Sequence, residues 1–207
     1  MKVFKFGGAS VKDAAGVKNL SSIVHQQQGQ LIVVVSAMGK TTNLLETLCN
    51  AYFHRDSKVP AIMKELKDFH LNIVTSLFPL NAPVYKHLEE LFINLENILA
   101  SESSLCYDYE YDRIICFGEL ISTTIISDYM EMEGIENQFI DIRKFLKTDQ
   151  NYRNANIDLE LSEQLCKEAF DFNTSSTFVT QGFIAGTRTN QTTTLGREGS
   201  DYTAALL

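Results

Sequence analysis

Glycine and proline together fill only 14 of the 207 positions, which excludes a collagen-like repeat and a low-complexity disordered chain. Histidine is equally sparse: His25, His54, His70 and His87 show no metal-ligand spacing, HExxH is absent, and no zinc site is expected. Cys49, Cys106, Cys116 and Cys166 stand far apart without a CxxC pair, so a disulfide-stapled miniprotein is excluded. The opening residues carry no charged-then-apolar signal, and we expect reduced, mostly buried thiols in a cytoplasmic protein, with no cysteine nucleophile. Long apolar runs are missing too. The best, Leu31 to Val35, is strand-length, far short of the roughly 18 residues of a membrane span. Basic residues are the minority, 18 against 26 acidic for a net charge of −8, and they form no stripe, so we expect neither nucleic acid nor membrane as a partner.

What the chain does have is apolar content, 44% of residues. A chain of about 200 residues can bury roughly 70% of its unfolded surface, enough for one sizeable core. The charge is uneven: residues 1–60 carry a net +4 and residues 61–207 a net −12, so the N-terminal part suits a small anionic ligand. Val3–Phe6 reads as a strand followed by a Gly7-Gly8 turn. Ser10 and Asp13 have capping-box spacing for a helix over about 11–28, which Gly29 stops. The unbroken apolar run at 31–35 reads as a strand covered on both faces, and this strand–helix–strand start indicates an α/β fold with a parallel sheet. Helical periodicity follows over 43–54, 60–76, 83–101 and 110–131, the last ended by Gly134. A short strand at 138–142, a polar loop at 148–156, a helix near 158–170 and a strand at 177–180 come next. A Gly/Thr-rich loop spans 182–199, and a helix starts at Ser200. With no repeat and no linker, one domain over 1–207 is expected. The apolar helix that begins at the end of the chain has no stop signal, and we expect a piece of a longer protein.

Four segments carry chemistry. In Lys5-Phe6-Gly7-Gly8-Ala9-Ser10, a lysine at a strand's carboxyl end stands beside glycine backbone N–H groups and a positive helix end, a natural phosphate cradle. Gly39-Lys40-Thr41 invites a P-loop assignment, but the Walker glycine would fall at Val34 inside the strand, so that assignment fails. In that loop Ser36, at the strand tip, is the better ligand candidate, while Thr42 or Asn43 caps the next helix. Gly118 inside an amphipathic helix costs about 1 kcal/mol against alanine and so marks a close approach, with Glu119 beside it able to meet an ammonium. Arg197, between Gly196 and the Glu198-Gly199 pair, offers a planar grip on a carboxylate. The Ser200-Asp201 pair that follows opens a helix, Asp201 being suited to orient a lysine or hold Mg²⁺.

Taken together, Lys5-Phe6-Gly7-Gly8-Ala9-Ser10, Val35-Ser36-Ala37 with Thr42-Asn43, Gly118-Glu119, and Thr194-Leu195-Gly196-Arg197-Glu198-Gly199-Ser200-Asp201 resemble the aspartate kinase family, within the amino-acid kinase fold. The resemblance spans essentially the whole chain. Ala9, Ala185 and Glu198 depart from the family's threonine, glycine and glycine, and Glu198 puts a carboxylate beside Arg197. The resemblance implies a three-layer sandwich with a mainly parallel central sheet, incomplete here. Residues 1–207 would be the N-terminal, aspartate-binding part of the kinase domain, without the remainder of the ATP site or the ACT domains. It further implies ATP-dependent phosphorylation of the L-aspartate side chain, with ATP and Mg²⁺ as cofactors and a homo-oligomeric parent. Lys5, with Gly7 and Gly8, would hold the transferring phosphate, and Asp201 would organise that lysine. Ser36, Thr42, Glu119, Arg197 and Ser200 would line the aspartate pocket.

The chemistry agrees with this expectation. A carboxylate of pKa about 3.9 is ionised at neutral pH and needs no general base, in keeping with the absence of a histidine-centred grouping. Phosphoryl transfer then rests on positioning and charge cancellation. Kinases of the same fold acting on glutamate, UMP or carbamate, and a non-catalytic binding module, are the alternatives. Glu119 separates them, since a nucleotide has no ammonium to pair with it, while Lys5 and Asp201 have no use in a mere sensor. We expect these 207 residues alone to be inactive, and ATP- and aspartate-dependent ADP release by them would overturn that.

Overall fold

The computed structural model describes residues 1–207. Its centre is a four-stranded, all-parallel sheet of β1 (Lys2–Phe6), β2 (Leu31–Val35), β5 (Thr177–Gln181) and β3 (Gln138–Ile140), in that order. Every residue of β2 and β5 is buried, and β2 is the unbroken apolar run expected in the middle of a parallel sheet. Seven of the eight helices precede β5: α1 (Ala14–His25), α2 (Thr41–Phe53), α3 (Val59–Leu77), α4 (Val84–Ala100), α5 (Tyr107–Ile115), α6 (Phe117–Met132) and α7 (Leu159–Ala169). The last, α8 (Gly199–Leu206), packs on β1 and β2. Helix α6 is the central one. It packs on β2, β3 and β5 and on each of the helices α1 to α5, and it is buried along nearly its whole length. Ile32 and Phe178 face the layer that holds Phe170, Phe172 and Leu206, so helices cover the sheet on both sides. No helix is long and apolar enough to cross a membrane.

Several local expectations are corrected. Helix α1 starts at Ala14, capped by Asp13, whose carboxylate accepts the Gly16 N–H at 2.8 Å. Ser10 instead closes a turn by donating its N–H to the Gly7 carbonyl. No helix end therefore stands directly behind Gly7-Gly8. Thr42 and Asn43 lie inside α2 rather than capping it, whereas Ser200 and Asp201 do open α8, in its first turn behind the N-cap Glu198. The single helix expected over 110–131 is two, interrupted at Cys116. Asp112 anchors α5 sideways to the strand that follows β6, while α6 starts where Gly118 can close on Ala37. Of the cysteines, Cys49 and Cys116 are buried, Cys166 is half-buried and Cys106 is exposed.

The largest correction concerns the loop expected over 182–199. It contains β6 (Ile184–Thr187) and β7 (Thr192–Thr194), an antiparallel pair, and β6 also pairs in parallel with β4 (Lys147–Thr148) to make a second sheet. Threonine's branched side chain favours the pleated surface, and Thr148, Thr193 and Thr194 are buried in it. This small sheet brings the chain back to the carboxyl ends of β1 and β2, just before α8.

Candidate active site

An open cavity of about 440 Å³ lies at the carboxyl ends of β1 and β2, against the start of α8. This is where ligands sit in open parallel sheets. Lys5, the penultimate residue of β1, reaches Asp201 at 3.1 Å and 3.3 Å to its two carboxylate oxygens. Ser36 follows β2 directly; its hydroxyl donates to the Ser200 hydroxyl at 2.9 Å, and its carbonyl accepts the Ser122 hydroxyl at 2.7 Å. Gly182 lets Ser200 come so close: a Cβ there would lie 2.6 Å from the serine's Cβ. Glu119 rises from α6 into the floor. Its Oε1 accepts the Ala37 N–H at 3.2 Å, while its buried Oε2 has no partner. Burial pushes the Glu119 carboxyl up to about 8, against the smaller opposing effect of its hydrogen bonds.

The cavity thus brings together Lys5, Ser36, Thr42, Glu119, Arg197, Ser200 and Asp201. Gly7 and Gly8 do not line it. A Cβ on Gly7 would lie 3.4 Å from the Lys5 ammonium, whereas Gly8 is needed for packing, because its Cβ would meet the Ala37 carbonyl oxygen at 2.6 Å. Glu198 also faces the cavity, with its carboxylate 3.9 Å from Arg197 Nε.

Sequence reasoning missed three other parts of the wall, Tyr111 on α5, Arg153 in the loop after β4 and Phe183 just before β6, and it gave Thr194, at the end of β7, no role of its own. Buried Asp112 fastens this side, accepting the Arg153 N–H at 2.9 Å, the Thr194 N–H at 3.0 Å and the Thr194 hydroxyl at 2.7 Å. Desolvation outweighs these bonds and lifts the Asp112 carboxyl to about 6. Backbone geometry marks the same wall. Five non-glycine residues have left-handed φ, and three of them, Arg153 (66°), Phe183 (69°) and Glu198 (57°), face this cavity. Such strain persists where surrounding structure holds it, and it clusters at functional sites. Nothing in the residue types signalled it.

The arrangement offers cations for an anionic group, a buried carboxylate short of one partner, and hydroxyls between them. That set suits a small zwitterion beside a phosphate. The sequence matches the description "Amino acid kinase family" over residues 1–207. It is 32% identical over 209 residues to the lysine-sensitive aspartokinase 3 of Escherichia coli, covering 99% of this chain and 45% of that protein. The aspartokinase of Chlamydia trachomatis is 28% identical over 206 residues, with 99% and 45% covered. Among solved structures, E. coli aspartokinase III with lysine and aspartate superposes with a TM-score of 0.89 at 28% identity, over 100% of this chain and 46% of that one. The same enzyme with aspartate and ADP gives 0.86 at 28% identity and the same coverage. The chain spans a little under half the length of the relatives it matches.

Proposed function

The chain belongs to the amino acid kinase family, and from that membership we propose that it forms the aspartate-binding part of an ATP-dependent aspartate kinase, an enzyme that makes 4-phospho-L-aspartate. The observation that carries this reading is the buried, unpartnered Oε2 of Glu119 in the same cavity as the Lys5–Asp201 pair. A buried carboxylate oxygen without a partner is costly, and an amino acid's ammonium is the group that would satisfy it. A nucleoside monophosphate or carbamate brings no such cation. The E. coli relative solved with aspartate and ADP supports the same choice.

In this reading Glu119 takes the ammonium, Ser36, Thr42 and Ser200 give hydroxyl contacts, and Arg197 faces the α-carboxylate. Lys5 neutralises the phosphoryl group in transfer, and Asp201 holds Lys5 in place. The acceptor carboxylate is already ionised, so these side chains position groups and cancel charge rather than move a proton. Mg²⁺ would supply further charge neutralisation on the transferring phosphate. The donors fit an ion carried by the nucleotide's phosphates: Asp201 is well exposed on the cavity wall, and no three His, Cys, Asp or Glu side chains form a cage. A homo-oligomer acting in the cytoplasm goes with the same reading.

Calorimetric titration of the chain with L-aspartate, L-glutamate and UMP tests it. Saturable binding of L-aspartate ahead of the other two is expected; preference for UMP would sink the proposal. In the natural protein Lys5→Ala should remove phosphoryl transfer, read as hydroxylamine-trapped acyl phosphate, while sparing L-aspartate binding.

A further inference from the structure

Two carboxylates of α5 are fully buried. Glu110 pairs with Arg113 at 3.0 Å, whereas Asp112 forms no ion pair. The partners of Asp112 are two backbone N–H groups, of Arg153 at 2.9 Å and Thr194 at 3.0 Å, and the Thr194 hydroxyl at 2.7 Å. Burying a charge without a counter-charge costs free energy that a neutral side chain would not. What the carboxylate supplies is geometry: its two oxygens accept from two segments at once and lock the end of β7 to the loop after β4.

The lock extends towards the cavity. The Thr194 carbonyl accepts the Ala155 N–H at 3.0 Å, and the Leu195 N–H donates to the Phe183 carbonyl at 2.9 Å. Gly196 lies so near the same loop that a Cβ on it would stand 2.6 Å from Asn154 Oδ1. Residues 194–196 are thus fastened one after another, and Arg197 is the next residue. Its side chain is 94% exposed and donates no hydrogen bond, and Glu198, 3.9 Å away, is its one ion-pair neighbour. The guanidinium is therefore placed by the backbone that leads to it rather than by contacts of its own.

We propose that Asp112 is a positioning residue: by holding Thr194, it aims Arg197 at the α-carboxylate of the acceptor amino acid. The proposal rests on the amino-acid acceptor reading above, and it gives a part in substrate binding to a side chain that does not line the cavity.

The test is kinetic, on the natural protein, with acyl phosphate trapped by hydroxylamine. Asp112→Asn keeps the shape but leaves one acceptor oxygen for three donors. A contact made equally in the ground and transition states shows in KM alone, so KM for L-aspartate should rise about tenfold while kcat and KM for ATP stay within about twofold. In an Arg197→Ala background, where there is no guanidinium left to aim, the same change should raise KM for L-aspartate by less than about twofold. Thr194→Val, which deletes only the hydroxyl bond, should raise that KM by about threefold in the parent and not in the Arg197→Ala background, and Thr194→Ser should restore the parent value. If Asp112→Asn does not fold, the Thr194 variants decide by the same comparison. An unchanged KM for L-aspartate would overturn the proposal alone. So would a parallel fall in kcat with a rise in KM for ATP, which marks general loss of structure, or an undiminished effect without Arg197. If the natural protein makes no acyl phosphate from L-aspartate, the acceptor reading fails first and takes this proposal with it.

Discussion

Glu119 and Lys5 show how differently two charged residues of one cavity behave. Glu119 is 3% exposed, and its carboxyl sits at about 8, against about 4.3 in an unfolded chain. Between those values the folded chain holds a proton that the unfolded chain has lost. This group's contribution to stability is therefore fully present below about pH 4 and is lost as the pH rises towards 8, by at most about 1.4 kcal/mol per unit. Glu119→Gln cannot ionise, so its melting temperature should gain on the parent's as the pH goes from 5 to 8. Parallel curves in thermal melts would refute the buried-acid account. Because an ammonium ligand needs the ionised form, L-aspartate affinity should also rise with pH over the same window. Lys5, by contrast, is partly exposed and its partner Asp201 largely so, and such pairs contribute about 0–1 kcal/mol. Lys5→Ala should hardly move the melting temperature, whatever it does to phosphoryl transfer. Lys5, Glu119 and Asp201 were legible because each stands in a distinctive string: Lys5 two positions before the Gly7-Gly8 pair, Glu119 directly after Gly118 and Asp201 directly after Ser200. Arg153 was not: it lies in a polar loop of ordinary composition, and only its left-handed φ and its anchor on Asp112 single it out.

At the scale of elements, close approaches between segments decide where the site residues end up. Gly118 lets the first turn of α6 press on the loop between β2 and α2: a Cβ there would lie 2.9 Å from the Ala37 Cβ and 3.2 Å from Leu45 Cδ1. Alanine would gain about 1 kcal/mol of helix propensity, but overpacking a buried contact costs roughly 1–3 kcal/mol. Gly118→Ala should therefore be destabilising on balance, and by displacing Ala37 it should stretch the hydrogen bond that the Ala37 N–H donates to Glu119 and weaken L-aspartate binding. A variant that melts higher and binds normally would show the contact to be slack. The need for glycine here was readable in a helix that otherwise wants none, and the strands β1 and β2 were readable as a buried parallel pair. The hairpin of β6 and β7 was not. Its threonines and glycines have the composition of a loop, and pairing with β4, far away in the chain, makes them strands. The break at Cys116 was hidden for a similar reason: apolar spacing runs through both α5 and α6, and the interruption comes from Asp112 gripping β7.

Across the whole molecule, the site joins the two ends of the chain. Lys5 and Asp201 are 196 residues apart in sequence, yet their side chains meet, and Ser36 and Ser200 meet across 164 residues. Between them lies a large core that holds the β1 end and the α8 start at one distance and sends one side chain, Glu119, into the cavity. Helix α8 is short and is tied down by few groups. The buried Thr203 hydroxyl accepts the Phe183 N–H at 3.1 Å and donates to the Gly199 carbonyl at 2.9 Å, and Phe183 itself is left-handed and faces the cavity. Elements with few ties open locally at a lower free energy than the core does, and a ligand that bridges two elements suppresses the opening of both. L-aspartate should therefore slow amide hydrogen exchange in α8 and in the turn after β1 in parallel, with the same dependence on ligand concentration, while exchange in β2 and β5 stays unchanged. The mechanism requires that coupling, because Lys5 and Asp201 act as one unit only while both ends are docked. Protection confined to one end would mean that the ligand does not bridge them, and Thr203→Val, which orphans the Phe183 N–H, should weaken the coupled protection before it lowers the global melting temperature.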